Sequence, residues 1–192
     1  MEASWFSHRP LWIFIMSGIF DRYPALRLVL AEQGSNWIRQ ALMTMDGFYP
    51  QIANGNIGEL RFVEPQLLEK MPSEYWVSNC AVAASFLHRD DCMRRERIGI
   101  DQIMWGSDYP HLEGTAPFSK ESIRLTFAGV PEDEVTAMLG GNAARVYGFD
   151  LDKLAPLAAR CGPEVDAVAA GLDRVPEGAQ SLAFRQSVIS NV

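Results

Sequence analysis

The sequence predicts an α/β chain built on a small parallel sheet, and three observations carry that expectation. Three strand candidates stand at 26–31, 76–86 and 103–106, the first a short near-continuous apolar run of the kind a parallel strand buried on both faces shows. Each run is followed by a loop and a segment of helical character, so a unit of strand, loop and helix occurs three times. The segments between the runs are long, as parallel strands require, because their crossovers are usually helices.

The elements follow in order. Residues 10–20, PLWIFIMSGIF, are apolar on every side, as in a helix covered by its neighbours, and Asp21-Arg22-Tyr23-Pro24 stops it because a residue before proline avoids the α region. The first strand, Leu26 to Ala31, ends at Glu32-Gln33-Gly34. Ser35 or Asn36 is placed to cap the next helix, in which Ile38, Ala41, Leu42 and Met45 form one apolar stripe. Residues 50–62 read as an excursion, and a short helix from Pro65 to Met71 is expected to end at Pro72. The second strand candidate is Trp76 to Phe86; the charged segment His88 to Arg97 follows as a helix, with Asp90 or Asp91 as its cap and Gly99 as its stop. Ile103 to Gly106 is the third strand, its loop runs Ser107 to Phe118, and Ser119 caps a helix ending near Gly129. Pro131 opens another helix that stops at Gly140-Gly141, and Asn142 caps a short one closed by Gly148. Residues 1–148 thus form the α/β part, and 149–192 a mostly helical C-terminal tail expected to pack partly on its exterior.

Composition narrows the function classes. Of 192 residues, 48% are hydrophobic, enough for a packed core, while 17 basic against 24 acidic residues leave a net charge of -7 and no basic stripe. Nucleic acid and an anionic membrane surface are not the expected partners. The apolar segment 10–20 is too short to span a bilayer, and nothing has the pattern of an export signal. Three cysteines without CxxC spacing argue against a disulfide framework or a zinc knuckle and fit a reducing cytoplasm.

Chemistry in parallel α/β folds collects at the carboxyl ends of strands. That rule selects Glu32, Asn79 or Ser85, and Asp108 with His111. Asp108 has two readings: a metal ligand whose second oxygen takes a proton from bound water, or the acceptor that shapes the turn at Tyr109-Pro110. His111 is a ligand, a proton donor or a substrate contact on one reading, and a loop histidine bonded to backbone on the other. Glu32 is a metal contact, an acid/base group or a loop acceptor. Trp105 and Tyr109 either pack or wall the pocket. Gly-x-Ser-x-Gly, Gly-x-Gly-x-x-Gly and the P-loop pattern are absent, as are His-x-His and His-Glu-x-x-His, and His8 and His88 do not sit at strand ends. The charges from Arg89 to Arg97 read most simply as a solvated helix face.

Three stretches, SGIFDRYPALRLVLAEQG at 17–34, MWGSDYPH at 104–111 and GNAARVYG at 141–148, resemble the amidohydrolase-related family. That group includes aminocarboxymuconate-semialdehyde decarboxylase and resorcylate-type decarboxylases. The resemblance implies a (β/α)8 barrel in which the three strands are the sixth, seventh and eighth, so that this chain is its C-terminal portion. It implies that Asp108 is the eighth-strand aspartate that binds a divalent metal, zinc or manganese, and assists proton transfer. Several members carry an acid/base histidine at the end of the sixth strand, where this sequence has Glu32. The family's first-strand and fifth-strand metal ligands have no counterpart in the 192 residues, and a complete barrel takes about 250 residues. The expectation is therefore a truncated or split metal-dependent hydrolase or non-oxidative decarboxylase of a small carboxylated or aromatic substrate. It would be completed by an N-terminal barrel half or by dimerisation. The competing expectation is a non-catalytic α/β module that pairs through exposed apolar surface.

Overall fold

The structure is a computed structural model that describes residues 2–57, 59, 67–85 and 87–184. Its centre is a three-stranded parallel sheet, β1 (Leu28–Ala31), β2 (Cys80–Ser85) and β3 (Ile103–Gly106), in the order β1-β2-β3. Leu28 pairs with Cys80, and Leu30 with Val82, which in turn faces Ile103. Paired residues share a face, and strand side chains alternate between faces. One face therefore carries Leu28, Leu30, Cys80, Val82, Ala84 and Ile103, all members of the buried core. The other carries Val29, Ala31, Ala83, Ser85 and Gly106, small residues that remain partly or fully exposed, beside buried Ala81 and Met104.

Helices cover the first face. They are α1 (Glu2–Met16), α2 (Ile19–Arg22), α3 (Ile38–Ala53), α4 (Pro72–Asn79), the single turn α5 (Arg89–Cys92) and α6 (Ser119–Phe127). The predicted α3 stripe of Ile38, Ala41, Leu42 and Met45 is buried as expected. The segment 10–20 differs from its reading. Its helix begins at Glu2 and breaks at Gly18, whose φ of 65° lies in the left-handed region that glycine enters freely. Leu11 and Ile15 are buried, but Ile13 is 61% exposed, so the helix is covered on one side rather than all round.

Other boundaries move for local reasons. The first strand starts at Leu28, and the Pro24 and Leu26 carbonyls ahead of it accept from the Asn79 amide instead of from the sheet. The excursion expected from residue 50 begins as the last turn of α3, which runs to Ala53. Of the helix expected at Pro65 to Met71, residues 65 and 66 lie outside the described residues, and 67–71 are not helical. Pro72 starts a helix instead of stopping one: its missing N–H falls where a first-turn donor has no partner anyway, and the Glu74 carboxylate accepts from the Met71 N–H at 2.8 Å. Trp76 to Asn79 belong to α4, so the second strand is shorter than its apolar run; Phe86 lies outside the described residues.

The charged segment 88–97 is one α turn and a 3-10 turn at Arg95–Arg97, not a solvated helix face throughout. Arg95 is buried and ion-paired with Glu134. Arg89 reaches the carbonyls of Leu125, Thr126 and Ala128 at the end of α6. Asp91 caps nothing: it accepts from the Ser35 hydroxyl at 2.9 Å, which also removes Ser35 as a cap for α3. Ser119 is the first residue of α6, its hydroxyl 2.9 Å from that of Thr115.

Beyond α6, α7 (Glu132–Thr136) and α8 (Asn142–Tyr147) are joined through Gly140-Gly141 by a π-helical turn at Ala137–Gly141, where a stop was expected. Asn142 is not a cap. Its amide donates to the Ile100 and Ile103 carbonyls, both at 2.8 Å, and ties this turn to the start of β3. Gly148, at φ 72°, ends α8 as expected. In the tail, α9 (Leu151–Cys161) buries no residue, while α10 (Val165–Ala170) lies on α6 through Val168 and through the Arg124 guanidinium, which donates to the Ala167 and Gly171 carbonyls. No helix among the described residues is long and apolar enough to cross a membrane. All three cysteines are free, and burial pushes the Cys80 and Cys92 thiols up to about 12 and about 11.

Candidate active site

Glu32 follows β1 directly, and its N–H still donates to the Ala83 carbonyl of β2 at 3.1 Å. The sheet ladder thus fixes its backbone while the strand itself has ended. Asp108 lies two residues beyond β3, at the mouth of the Ser107 to Phe118 loop. The loop is folded back on itself: Thr115 N–H bonds the Ser107 carbonyl at 2.8 Å, and His111 N–H bonds the Asp108 carbonyl at 2.9 Å. Gly114 makes this close approach possible, since a Cβ there would lie 2.8 Å from both the Asp108 and Ser107 carbonyl oxygens.

Glu32 and Asp108 share a backbone signature. Their φ values, 56° and 60°, are the positive ones among the described residues other than glycine. Side chains avoid that region, and such strain of about 1–3 kcal/mol tends to persist where the fold aims a functional group. Here it aims two carboxylates at one place. Glu32, Asp108 and His111 each offer a ligand atom, all within 4.8 Å of one another.

Asp108 bonds its loop through both main chain and side chain. The turn is held by its main-chain carbonyl and by the Ser107 hydroxyl, which accepts from Tyr109 N–H at 3.3 Å. The carboxylate spans the same turn, from residue 108 to residue 111. Its Oδ1 stands 3.0 Å from His111 Nδ1, and Oδ2 has no protein partner among the described residues. The Asp108 side chain is 8% exposed and that of His111 54%, so a nearly buried carboxylate is reached through an open imidazole. The Asp108 bond and charge raise the His111 pKa above its ordinary 6.5.

The donor set fits a divalent ion. The 3.0 Å between Asp108 and His111 is near the ~3.0–3.4 Å separation of neighbouring ligands when each bond is about 2.0–2.1 Å long. A ligand atom of Glu32 lies within 4.8 Å of those two, and would have to come closer to share one ion with them. Two adjacent carboxylates and a neutral imidazole are also the oxygen and nitrogen mixture that zinc and manganese accept.

Further residues gather beside Glu32, among them His8, which does not sit at a strand end. Ser7, His8, Gln33 and Trp37 line a hollow of about 470 Å³ with Glu32. His8 stacks on Trp37, centroids 3.7 Å apart and planes at 15°, and Ser7 donates to Gln33 at 2.8 Å. Burial lowers the His8 pKa. The strand-end rule missed His8 because it sits on α1; the one available signal was a helix whose pattern extends ahead of residue 10. Asn79 lies at the wrong end of β2 and serves the backbone, as above, while Ser85 ends β2 partly exposed. Tyr109 is exposed. Trp105 lines an apolar cavity of about 660 Å³ under α9 and α10, away from the carboxylates, and packs against the core.

An amidohydrolase family model matches residues 8–149, and the chain belongs to the amidohydrolase family. No curated protein sequence matches it significantly. Among solved structures it is similar to the 5-carboxyvanillate decarboxylase of Sphingomonas paucimobilis, with 29% identity and a TM-score of 0.55 over 71% of this chain and 38% of that one. An amidohydrolase of Mycobacterium avium subsp. paratuberculosis shares 26% identity at a TM-score of 0.57, over 76% of this chain and 34% of that one. A dihydroxybenzoic acid decarboxylase of Polaromonas sp. JS666, solved with manganese and 2-nitroresorcinol bound, has the same fold at 18% identity, with a TM-score of 0.53 over 72% and 38% of the two chains. The chain therefore spans little more than a third of the length of these proteins. Its sheet is part of a (β/α)8 barrel, and because the helices of such a barrel form the outer ring, the face of small side chains is the one turned toward the barrel axis.

Proposed function

We propose that this chain carries one part of the active site of a metal-dependent amidohydrolase that removes a carboxyl group, without oxidation, from a small carboxylated aromatic substrate. Hydrolysis of a related substrate is the second reaction the same groups serve. The observation that carries the proposal is the convergence of Glu32, Asp108 and His111, two of them held at positive φ, on one point at the carboxyl edge of the sheet. The decarboxylase from Sphingomonas, at 29% identity, supports the choice of reaction.

Charge supports the metal. An anionic substrate approaching Glu32 and Asp108 meets two like charges, and a cation held between them reverses that repulsion. Zinc or manganese bound by Asp108, with Glu32 and His111, would supply a Lewis acid for a substrate oxygen. Asp108 has the further task of carrying the proton: Oδ2, without a protein partner among the described residues, would take the ion, and Oδ1, 3.0 Å from His111 Nδ1, would carry the proton. His111 orients that carboxylate and, being exposed, meets the substrate carboxylate. Glu32 stands as second acid/base group or polar anchor at the rim. The stacked His8 and Trp37 give the adjoining hollow a flat wall suited to an aromatic ring.

The remaining metal ligands belong, on this reading, to another part of the barrel, in the same polypeptide or in a second copy, and the free cysteines suit a cytoplasmic setting. The test joins this chain to an upstream amidohydrolase barrel half, supplies zinc or manganese, and measures CO₂ release from 5-carboxyvanillate and dihydroxybenzoates. Asp108→Asn is expected to lower the rate by at least about a hundredfold. Full activity in that variant sinks the assignment of Asp108.

A further inference from the structure

A second cluster of charge lies apart from the three groups of the active site. Arg39 of α3 and Arg94 and Arg97 of the segment after α5 line one hollow of about 330 Å³, together with Asn36, Gln40 and Asp91. The neighbouring arginines are committed: Arg95 to Glu134, and Arg89 to three carbonyls of the α6 end. The guanidinium groups of Arg39, Arg94 and Arg97 have no hydrogen bond or ion pair among the described residues. The one carboxylate of the hollow, Asp91, is buried and already accepts from the hydroxyl and the N–H of Ser35. Three arginines thus line one hollow with a single, already engaged carboxylate, in a chain whose net charge is -7.

Three unneutralised cations around one concavity repel each other, and an acidic protein with 17 basic residues gains nothing in solubility by concentrating three of them there. An anion relieves the repulsion. Guanidinium forks match the oxygens of phosphate in paired, charge-assisted bonds, and three forks from two elements surround a phosphate better than they line up on a planar carboxylate. The amides of Asn36 and Gln40 add neutral donors for the remaining oxygens. The hollow is of a size for a diphosphate group and too small for a folded partner segment.

We propose that this hollow is an anion site that binds a phosphate-bearing ligand through Arg39, Arg94 and Arg97. Asn36 lines both this hollow and the one beside Glu32, so the ligand lies next to the active-site hollow without entering it.

The test is calorimetric titration of the purified protein with inorganic pyrophosphate, against sodium chloride at matched ionic strength. One saturable site per chain is expected, weakened about tenfold or more in Arg94→Gln/Arg97→Gln and in Arg39→Gln, and unchanged in Arg160→Gln on α9. Circular dichroism of each variant confirms its fold, and any variant that fails it is replaced by the corresponding lysine variant, whose single point charge is expected to bind more weakly than the fork. Vesicles bearing phosphatidic acid form a second arm: capture by these vesicles with the same arginine dependence means that the phosphate is a lipid headgroup, and binding of free pyrophosphate alone means a soluble ligand. Either result upholds the site. Chloride reproducing the effect, equal binding in Arg94→Gln/Arg97→Gln, or a preference for a poly-glutamate peptide over both phosphate probes overturns it.

Discussion

Replacing Asn142 by alanine removes the clamp that ties the π turn to β3, the strand that delivers Asp108. The side chain is 3% exposed and donates two hydrogen bonds of 2.8 Å, to the carbonyls of Ile100 and Ile103. Each bond is worth about 0.5–1.5 kcal/mol net, and a buried acceptor left without a donor costs about 1–3 kcal/mol more. Alanine returns about half a kcal/mol through its better helix propensity. The expected loss is therefore about 2–4 kcal/mol, read as a lower urea midpoint at unchanged slope. Asn142→Asp should be as damaging or worse, because it turns an acceptor toward two acceptors. A loss below about 1 kcal/mol, or an aspartate variant as stable as the parent, refutes the clamp.

Three further outcomes follow from the site. Gly114→Ala drives a methyl to within 2.8 Å of the Asp108 and Ser107 carbonyl oxygens, so the loop must shift; a stability loss of about 1–3 kcal/mol and weaker metal uptake are expected, and a variant with the parent's affinity for manganese contradicts this. At Glu32, φ 56° should make glycine at least as stable as the native residue, with valine about 1–2 kcal/mol below glycine in urea unfolding; equal stability of the two variants sinks the strain argument. The imidazole of His111 titrates above 6.5 because Asp108 stabilises its charged form. Whatever stability this pair lends is therefore complete below pH 6.5 and lost as the pH rises through the elevated value. NMR should show the midpoint falling toward 6.5 in Asp108→Asn, and an unmoved midpoint breaks the link.

The sequence revealed most where pattern and environment agree. Ile103 to Gly106 was legible as a strand because its apolar run is short and ends in a glycine and a turn, and that legibility placed Asp108 and His111 at a strand end. The stripe of α3 was legible because a single face is buried. Trp76 to Phe86 misled because one stretch holds both a helix end and a strand start, and the four residues before Cys80 are too few to show a change of period. Proline before a charged turn reads as a stop or as a start, and at Pro72 the Glu74 bond to Met71 N–H decided for a start. Arg95 looked like a surface charge because its partner Glu134 lies 39 positions away. Glu32 reached the candidate list by its strand end, but its meeting with Asp108 depends on two left-handed residues that no periodicity announces. His8 depends on a tertiary stack with Trp37.

The central claim, that Glu32, Asp108 and His111 form one metal centre, is tested most directly by equilibrium dialysis of the purified protein against zinc and manganese, with metal counted by mass spectrometry. The account predicts uptake that saturates at one ion per chain, abolished in Asp108→Asn and weakened in Glu32→Gln and His111→Ala. No uptake by the folded protein, or one ion retained equally by Asp108→Asn, would contradict it.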